Sequence, residues 1–159
     1  MVREFLTRLG LELGEDEVRS FRDDDDPVDV TFRCANFQVK EIYDPAQRRH
    51  AELKESLQAA RKATCIRDLV LPVKARDIVL ADVGRLLLEI ASTNRYSARI
   101  KSALDLLVYV TRPRAGFYEP HHSVAEKLKG LGWRSISCLF GEKPLLLVAK
   151  SCAPPFLQA

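Results

Sequence analysis

Long apolar runs are missing from this chain of 159 residues. None approaches the roughly eighteen residues that cross a bilayer, so a membrane-spanning helix is not expected. The N-terminal stretch MVREFLTRLGLELGEDE has no basic start, long apolar middle or small-residue cleavage site. A secretory signal is therefore not expected either, and the reading is a cytoplasmic protein. Glycine (7) and proline (8) are too sparse for a collagen-like or low-complexity chain. No repeat and no Gly/Ser/Pro linker divides the sequence, and 159 residues suit one globular domain over 1–159. GxSxG, P-loop and dinucleotide-glycine patterns are also absent, which removes the usual anchors of α/β-hydrolases, NTPases and Rossmann enzymes. The four cysteines, Cys34, Cys65, Cys138 and Cys152, form no CxxC pair. They read as small buried hydrophobes rather than as disulfides or zinc ligands.

What is present is a soluble balance, 47% hydrophobic and 30% charged, with an uneven distribution of sign. Residues 1–30 carry ten acids and four arginines, a net −6, so the remaining 129 residues carry +9 to reach the chain's +3. An acidic edge on a basic body suits a polyanion partner with acids kept for a local task. Two differently solvated faces would give the same numbers.

The patterning alternates between helix and strand periods. Val2, Phe5, Leu6 and Leu9 predict a short amphipathic helix that Gly10 or Gly14 can end. Val18–Arg22 reads as a short strand and Asp23–Pro27 as a turn. PVDVTFR and ANFQVKEIY, rich in Val, Ile, Phe and Tyr, predict a hairpin turning at Cys34–Asn36. Asp44-Pro45 opens a helix reaching about Ala63. Further helices are expected over Ala81–Ser92, Arg95–Ala103 and SVAEKLKGLG. LDLLVYVT is a strand buried on both faces, and WRSISCLF with PLLLVAK a closing pair, with Trp133 in the core. The order gives an α/β fold, a mixed β-sheet flanked by helices.

The segment that points to chemistry is Pro27-Val28-Asp29, eight residues, then Gln38-Val39-Lys40. Alternate strand residues share a face, so Gln38 and Lys40 point together, and a hairpin brings Asp29 beside them. An acid, an amide oxygen and an ammonium then meet on adjacent strands. Phosphodiester hydrolysis assisted by Mg²⁺ uses such groups: oxygens hold the ion, and a lysine orients water or neutralises developing charge.

Asp29 … Gln38-x-Lys40 in a hairpin after a glutamate-bearing helix resembles the PD-(D/E)xK superfamily, the restriction-endonuclease-like fold with an α-β-β-β-α-β core. PVDVTFR, NFQVKEIY, the stretch from Tyr96 to LDLLVYV, and GWRSIS at Gly132–Ser137 resemble, more narrowly, a proteobacterial family that carries an endonuclease description. The resemblance implies a metal-dependent endonuclease acting on DNA, with Asp29 as metal-binding aspartate, Lys40 as catalytic lysine and Glu4 as the supporting first-helix acid. Mg²⁺ or Mn²⁺ would be held by Asp29, the Gln38 oxygen and the Val39 carbonyl. Gln38 departs from the pattern, which has Asp or Glu there, and removes a charge from the site; some members of the superfamily share it. Glu41 is one residue off and nominally on the other face.

Other readings stand beside this one. Asp29 can simply finish an acidic turn, and Lys40-Glu41 can be edge-strand charges. A nuclease fold without catalysis, serving as a nucleic-acid-binding or interaction module, is the alternative that Gln38 favours; a purely structural protein is a third. Glu119-Pro120-His121-His122 offers a weaker metal set, because adjacent residues of an extended loop point apart. His50 reads as packed or phosphate-facing. Arg48, Arg49, Arg61 and Lys62, and Arg95, Arg99 and Lys101 around Tyr96, are candidate phosphate contacts. The sequence leaves the oligomeric state open.

Overall fold

The computed structural model describes residues 1–21, 26–42, 49–65, 80–110 and 122–158. In chain order the elements are α1 (Val2–Arg8), β1 (Val18–Ser20), β2 (Val30–Phe32), β3 (Ala35–Ile42), α2 (Arg49–Lys62), α3 (Leu80–Ala91), α4 (Ala98–Lys101), β4 (Asp105–Val110), α5 (His122–Lys129), β5 (Ser135–Phe140) and β6 (Lys143–Ala149). A short 3₁₀ turn, Pro155–Leu157, follows. The strands form a six-stranded mixed sheet in the order β1-β2-β3-β4-β5-β6. β1, β2 and β3 pair antiparallel, β3–β4 and β4–β5 parallel, and β5–β6 antiparallel. The expected mixed α/β architecture is what the chain adopts.

Strand alternation divides the core into two layers. Leu106, Val108, Ile136 and Cys138 face Val83, Leu87 and Ala91 of α3, with Leu128 and Trp133. Phe37, Leu107 and Leu139 face Val2, Phe5 and Leu6 of α1, with Leu157 from the C-terminal turn. β4 contributes to both layers, which explains its almost unbroken apolar sequence. Gly10, at φ 80°, supplies the left-handed turn that closes α1.

The one acid in that strand, Asp105, is fully buried. Its carboxylate accepts from Arg134 Nε at 3.0 Å, from Arg134 Nη2, from Ser135 Oγ at 2.7 Å and from the Asn36 backbone N–H at 3.0 Å. These bonds join the starts of β3, β4 and β5, so a buried charge is compensated by a cation and by neutral donors.

Several expectations change in detail. The β2–β3 turn is made by Arg33-Cys34, with Arg33 at φ 51°, rather than by Cys34–Asn36. The helix read over Arg95–Ala103 covers only Ala98–Lys101, because Ser97 caps it by accepting the Ile100 N–H. Trp133 is core as expected but precedes β5. Of the cysteines only Cys138 is buried; Cys34, Cys65 and Cys152 are exposed, since they lie in turns and at a helix end. The Asp44-Pro45 helix start and the segment Leu69–Val73 lie outside the described residues.

Candidate functional site

Asp29 stands one residue before β2. The β2–β3 ladder ends at the Val30–Phe37 pair, and Asp29 lies just beyond it, within reach of Gln38 and Val39 of β3. The Asp29 N–H donates to Phe37 O at 2.9 Å, and Phe21 N–H donates to Asp29 O at 2.9 Å, so its backbone is fixed on both sides. Upstream, Asp26 Oδ1 accepts the Val28 N–H at 2.8 Å, a local turn that delivers the chain into β2.

The Asp29 carboxylate is held by β3. Its Oδ2 accepts the Val39 backbone N–H at 2.6 Å and also a hydrogen bond from Gln38 Nε2. The other end of the Gln38 amide, Oε1, accepts from the Tyr96 hydroxyl. A carboxylate only accepts, so the amide nitrogen must face Asp29 and the oxygen must face the phenol. Gln38 is 2% exposed, and both ends of its amide are satisfied. Tyr96 in turn stacks edge-on against Trp133 at 6.2 Å, with the Arg95 guanidinium 5.6 Å from its ring. Burial raises the Tyr96 phenol above its ordinary pKa; Arg95 opposes the rise and the Asp29 charge adds to it.

Asp29 and Lys40 border the same cleft, about 550 Å³ in volume, at the edge where β2 gives out beside β3. Val30, Val39, Glu41 and Tyr109 form its sheet side, and Met1, Val2 and Arg3 close it from α1. Lying at a sheet edge, the cleft is bordered by both alternation sets, which brings Glu41 to the same opening as Lys40. Among the described residues the Lys40 side chain has no hydrogen-bond or ion-pair partner.

Glu4 is placed differently. Val2, Phe5 and Leu6 form the buried side of α1, and Glu4 is exposed off that stripe. α1 packs on the sheet face of Phe37 and Leu107, opposite by alternation to the face of Gln38 and Lys40. The cleft takes Arg3, not Glu4, from this helix.

Whether these donors suit a divalent cation follows from their chemistry. Among the described residues no group of three or more His, Cys, Asp or Glu could hold a metal ion. Asp29 keeps Oδ1 beside its occupied Oδ2. The Val39 carbonyl points to the same strand edge as the Val39 N–H that binds Asp29. The Gln38 oxygen is turned away, toward Tyr96. Mg²⁺ is commonly held by one or two carboxylates together with substrate phosphates and water, so one carboxylate and one carbonyl fit a weak, substrate-completed site.

The outlying basic residues divide. Arg61, Lys62, Arg95 and Arg99 are exposed. Lys101 is only 7% exposed: its Nζ donates to Ala91 O at 3.3 Å and sits 5.6 Å from the Trp133 ring, so it serves the core and is no phosphate contact. The side chains of Arg48, Arg49, His50 and His122, and residues Glu119–His121, lie outside the described residues. Sequence reasoning missed the Gln38–Tyr96 bond, because no spacing rule connects residues 58 positions apart.

No curated protein matches the chain. A solved structure from Pseudomonas aeruginosa strain PAO1, described as the protein of unknown function PA4535 of the monooxygenase superfamily, is similar in fold. Its TM-score is 0.63 at 24% identity, over 98% of this chain and 73% of that one. At that identity the likeness concerns the fold. Over residues 1–159 the sequence matches the model of the family described as "Putative endonuclease, protein of unknown function (DUF1780)", and the chain belongs to that family.

Proposed function

We propose that the chain is a nuclease of restriction-endonuclease-like core that cleaves DNA phosphodiesters with the help of Mg²⁺ or Mn²⁺ at the Asp29–Lys40 cleft. The observation that carries the reading is that an anchored carboxylate, Asp29, and a lysine, Lys40, border one opening. The order α1-β1-β2-β3, helices, then β4 parallel to β3 supports the core assignment. Family membership supports the nuclease class.

In this reading β3 and β2 hold Asp29 rigidly, so one carboxylate oxygen stays directed at the cleft. A bound divalent ion supplies charge neutralisation at the phosphate and a more acidic water. Lys40 lies beside the scissile phosphate, where its ammonium offsets the charge that builds as water attacks phosphorus. The attacking water gives a proton to solvent, the bond from phosphorus to the leaving sugar oxygen breaks, and that oxygen takes a proton from solvent. Gln38 keeps Asp29 in place. Glu4, exposed on α1, supports the site only through water.

A specific observation favours a second reading, a nuclease fold that binds nucleic acid without cutting it. The neutral Gln38 occupies the acid position and its oxygen is engaged by Tyr96. Incubation of plasmid, single-stranded DNA, duplex DNA and RNA with Mg²⁺ or Mn²⁺ separates the two. The nuclease reading expects DNA cleavage that disappears in Asp29→Ala and falls about 10²–10³-fold in Lys40→Ala. Binding without cleavage selects the second reading, and absence of both removes each.

A further inference from the structure

The amide of Gln38 joins Tyr96 to Asp29, and its two ends are chemically different. In the structure Tyr96 donates to Oε1 and Nε2 donates to Asp29. For a cation at Asp29 this is the wrong end, since it presents N–H where an oxygen could coordinate. Most residues facing a buried amide would fix it in that state. A backbone carbonyl beside Gln38 would accept only from nitrogen, and a lysine would donate only to oxygen. Tyr96 differs, because a phenol both donates and accepts.

We propose that Gln38 turns its amide over about its last side-chain torsion when a divalent cation joins Asp29, with Tyr96 as the positioning residue that satisfies either orientation. The proposal rests on the metal-dependent reading of the cleft. After the turn, Nε2 donates to the Tyr96 oxygen, and Oε1 faces the ion alongside Asp29. The lost bond from Nε2 to Asp29 is replaced by the ion's attraction for the same carboxylate. Neither end of an amide only 2% exposed is left without a partner, which a buried polar group requires. The terminal amide torsion is broad and two-fold, so the turn needs no change of the preceding rotamers. Gln38 thereby behaves as a donor that holds Asp29 in the metal-free protein and as an oxygen ligand in the loaded one.

Side-chain NMR on the whole wild-type protein, labelled with ¹⁵N-glutamine and ¹³C-aspartate, tests this. The chain has four glutamines, so the Gln38 signal is identified by its absence in Gln38→Glu. Without metal, the Gln38 amide protons are expected to show no nuclear Overhauser effect to the Tyr96 ring. Saturating Mg²⁺ should create that contact and shift the Asp29 carboxyl ¹³C signal at the same time. If Mg²⁺ shifts the Asp29 carboxyl and the contact to Tyr96 does not form, the turning amide is overturned while the metal reading survives. If neither signal moves up to high millimolar Mg²⁺, both fall together.

Discussion

The Gln38 side chain meets Asp29 through its nitrogen, so its amide acts as a donor to the neighbouring acid. It follows that Gln38→Glu replaces a hydrogen bond by a like-charge contact. The metal-free variant should lose on the order of 1–3 kcal/mol of stability, read as a lower urea midpoint. Added Mn²⁺ should restore it, and calorimetric Mn²⁺ affinity should rise about tenfold or more over wild type, because charge attraction dominates the holding of a hard cation. A destabilised variant with no gain in Mn²⁺ binding would place the metal away from this pair.

Asp105 tests the architecture that carries the site. Asp105→Asn keeps the volume but leaves the Arg134 guanidinium, only 14% exposed, facing a neutral amide. Asp105 also lifts the Arg134 pKa by bonding to it, against the pull of desolvation. Breaking such a pair costs about 3–5 kcal/mol, enough to disturb the shared start of β3, β4 and β5. Denaturant unfolding of the variant measures the loss; a change below about 1 kcal/mol would mean that the clamp is dispensable.

Cys138 gives the fold an alkaline limit. Burial pushes its thiol from 9.0 up to about 12. The unfolded chain therefore ionises this thiol first, and the stability it contributes is whole below pH 9 and declines as pH climbs toward 12. The expected slope is about 1.4 kcal/mol per pH unit. Tyr96, also raised, adds a loss of the same sign above pH 10. Urea midpoints between pH 8 and 11 should fall less steeply in Cys138→Ala than in wild type. Native thiol labelling should reach Cys34, Cys65 and Cys152 and spare Cys138 until unfolding.

Binding of duplex DNA should weaken steeply as salt rises, because phosphate contacts release counterions. Arg99→Ala and Arg61→Ala, at exposed positions, should each reduce the slope of log affinity against log salt by about 1. Lys101→Met should leave that slope unchanged while altering stability, as its ammonium is spent on Ala91 O and Trp133. A salt-independent affinity would count against both nucleic-acid readings.

Much of this molecule is legible in the sequence wherever periodicity and burial agree. The hairpin of β2 and β3, the α3 helix and the doubly buried β4 follow from apolar spacing alone, and the hairpin brings Asp29 into contact with Gln38. Long-range polar pairing is not legible. Nothing local says that Tyr96 bonds Gln38, that Arg134 pairs with Asp105, or that Lys101 turns inward, since each depends on how separate elements dock. A lone acid inside LDLLVYVT was a usable signal for Asp105. The spacing of α1 likewise put Val2, Phe5 and Leu6 inward and thereby Glu4 outward. Glu41 falls in register with Tyr109, on the face opposite to Gln38 and Lys40, as strict alternation predicts.

The most direct test of the Asp29–Lys40 cleft is the calorimetric affinity for Mg²⁺ with and without an uncleavable phosphorothioate duplex. One carboxylate and a backbone carbonyl bind Mg²⁺ weakly, and a phosphate completes the set. The account predicts an affinity that rises about tenfold or more with the duplex present, and in Asp29→Ala no Mg²⁺ heat beyond that of the duplex alone. Mg²⁺ binding that ignores the duplex, or that survives Asp29→Ala, would contradict it.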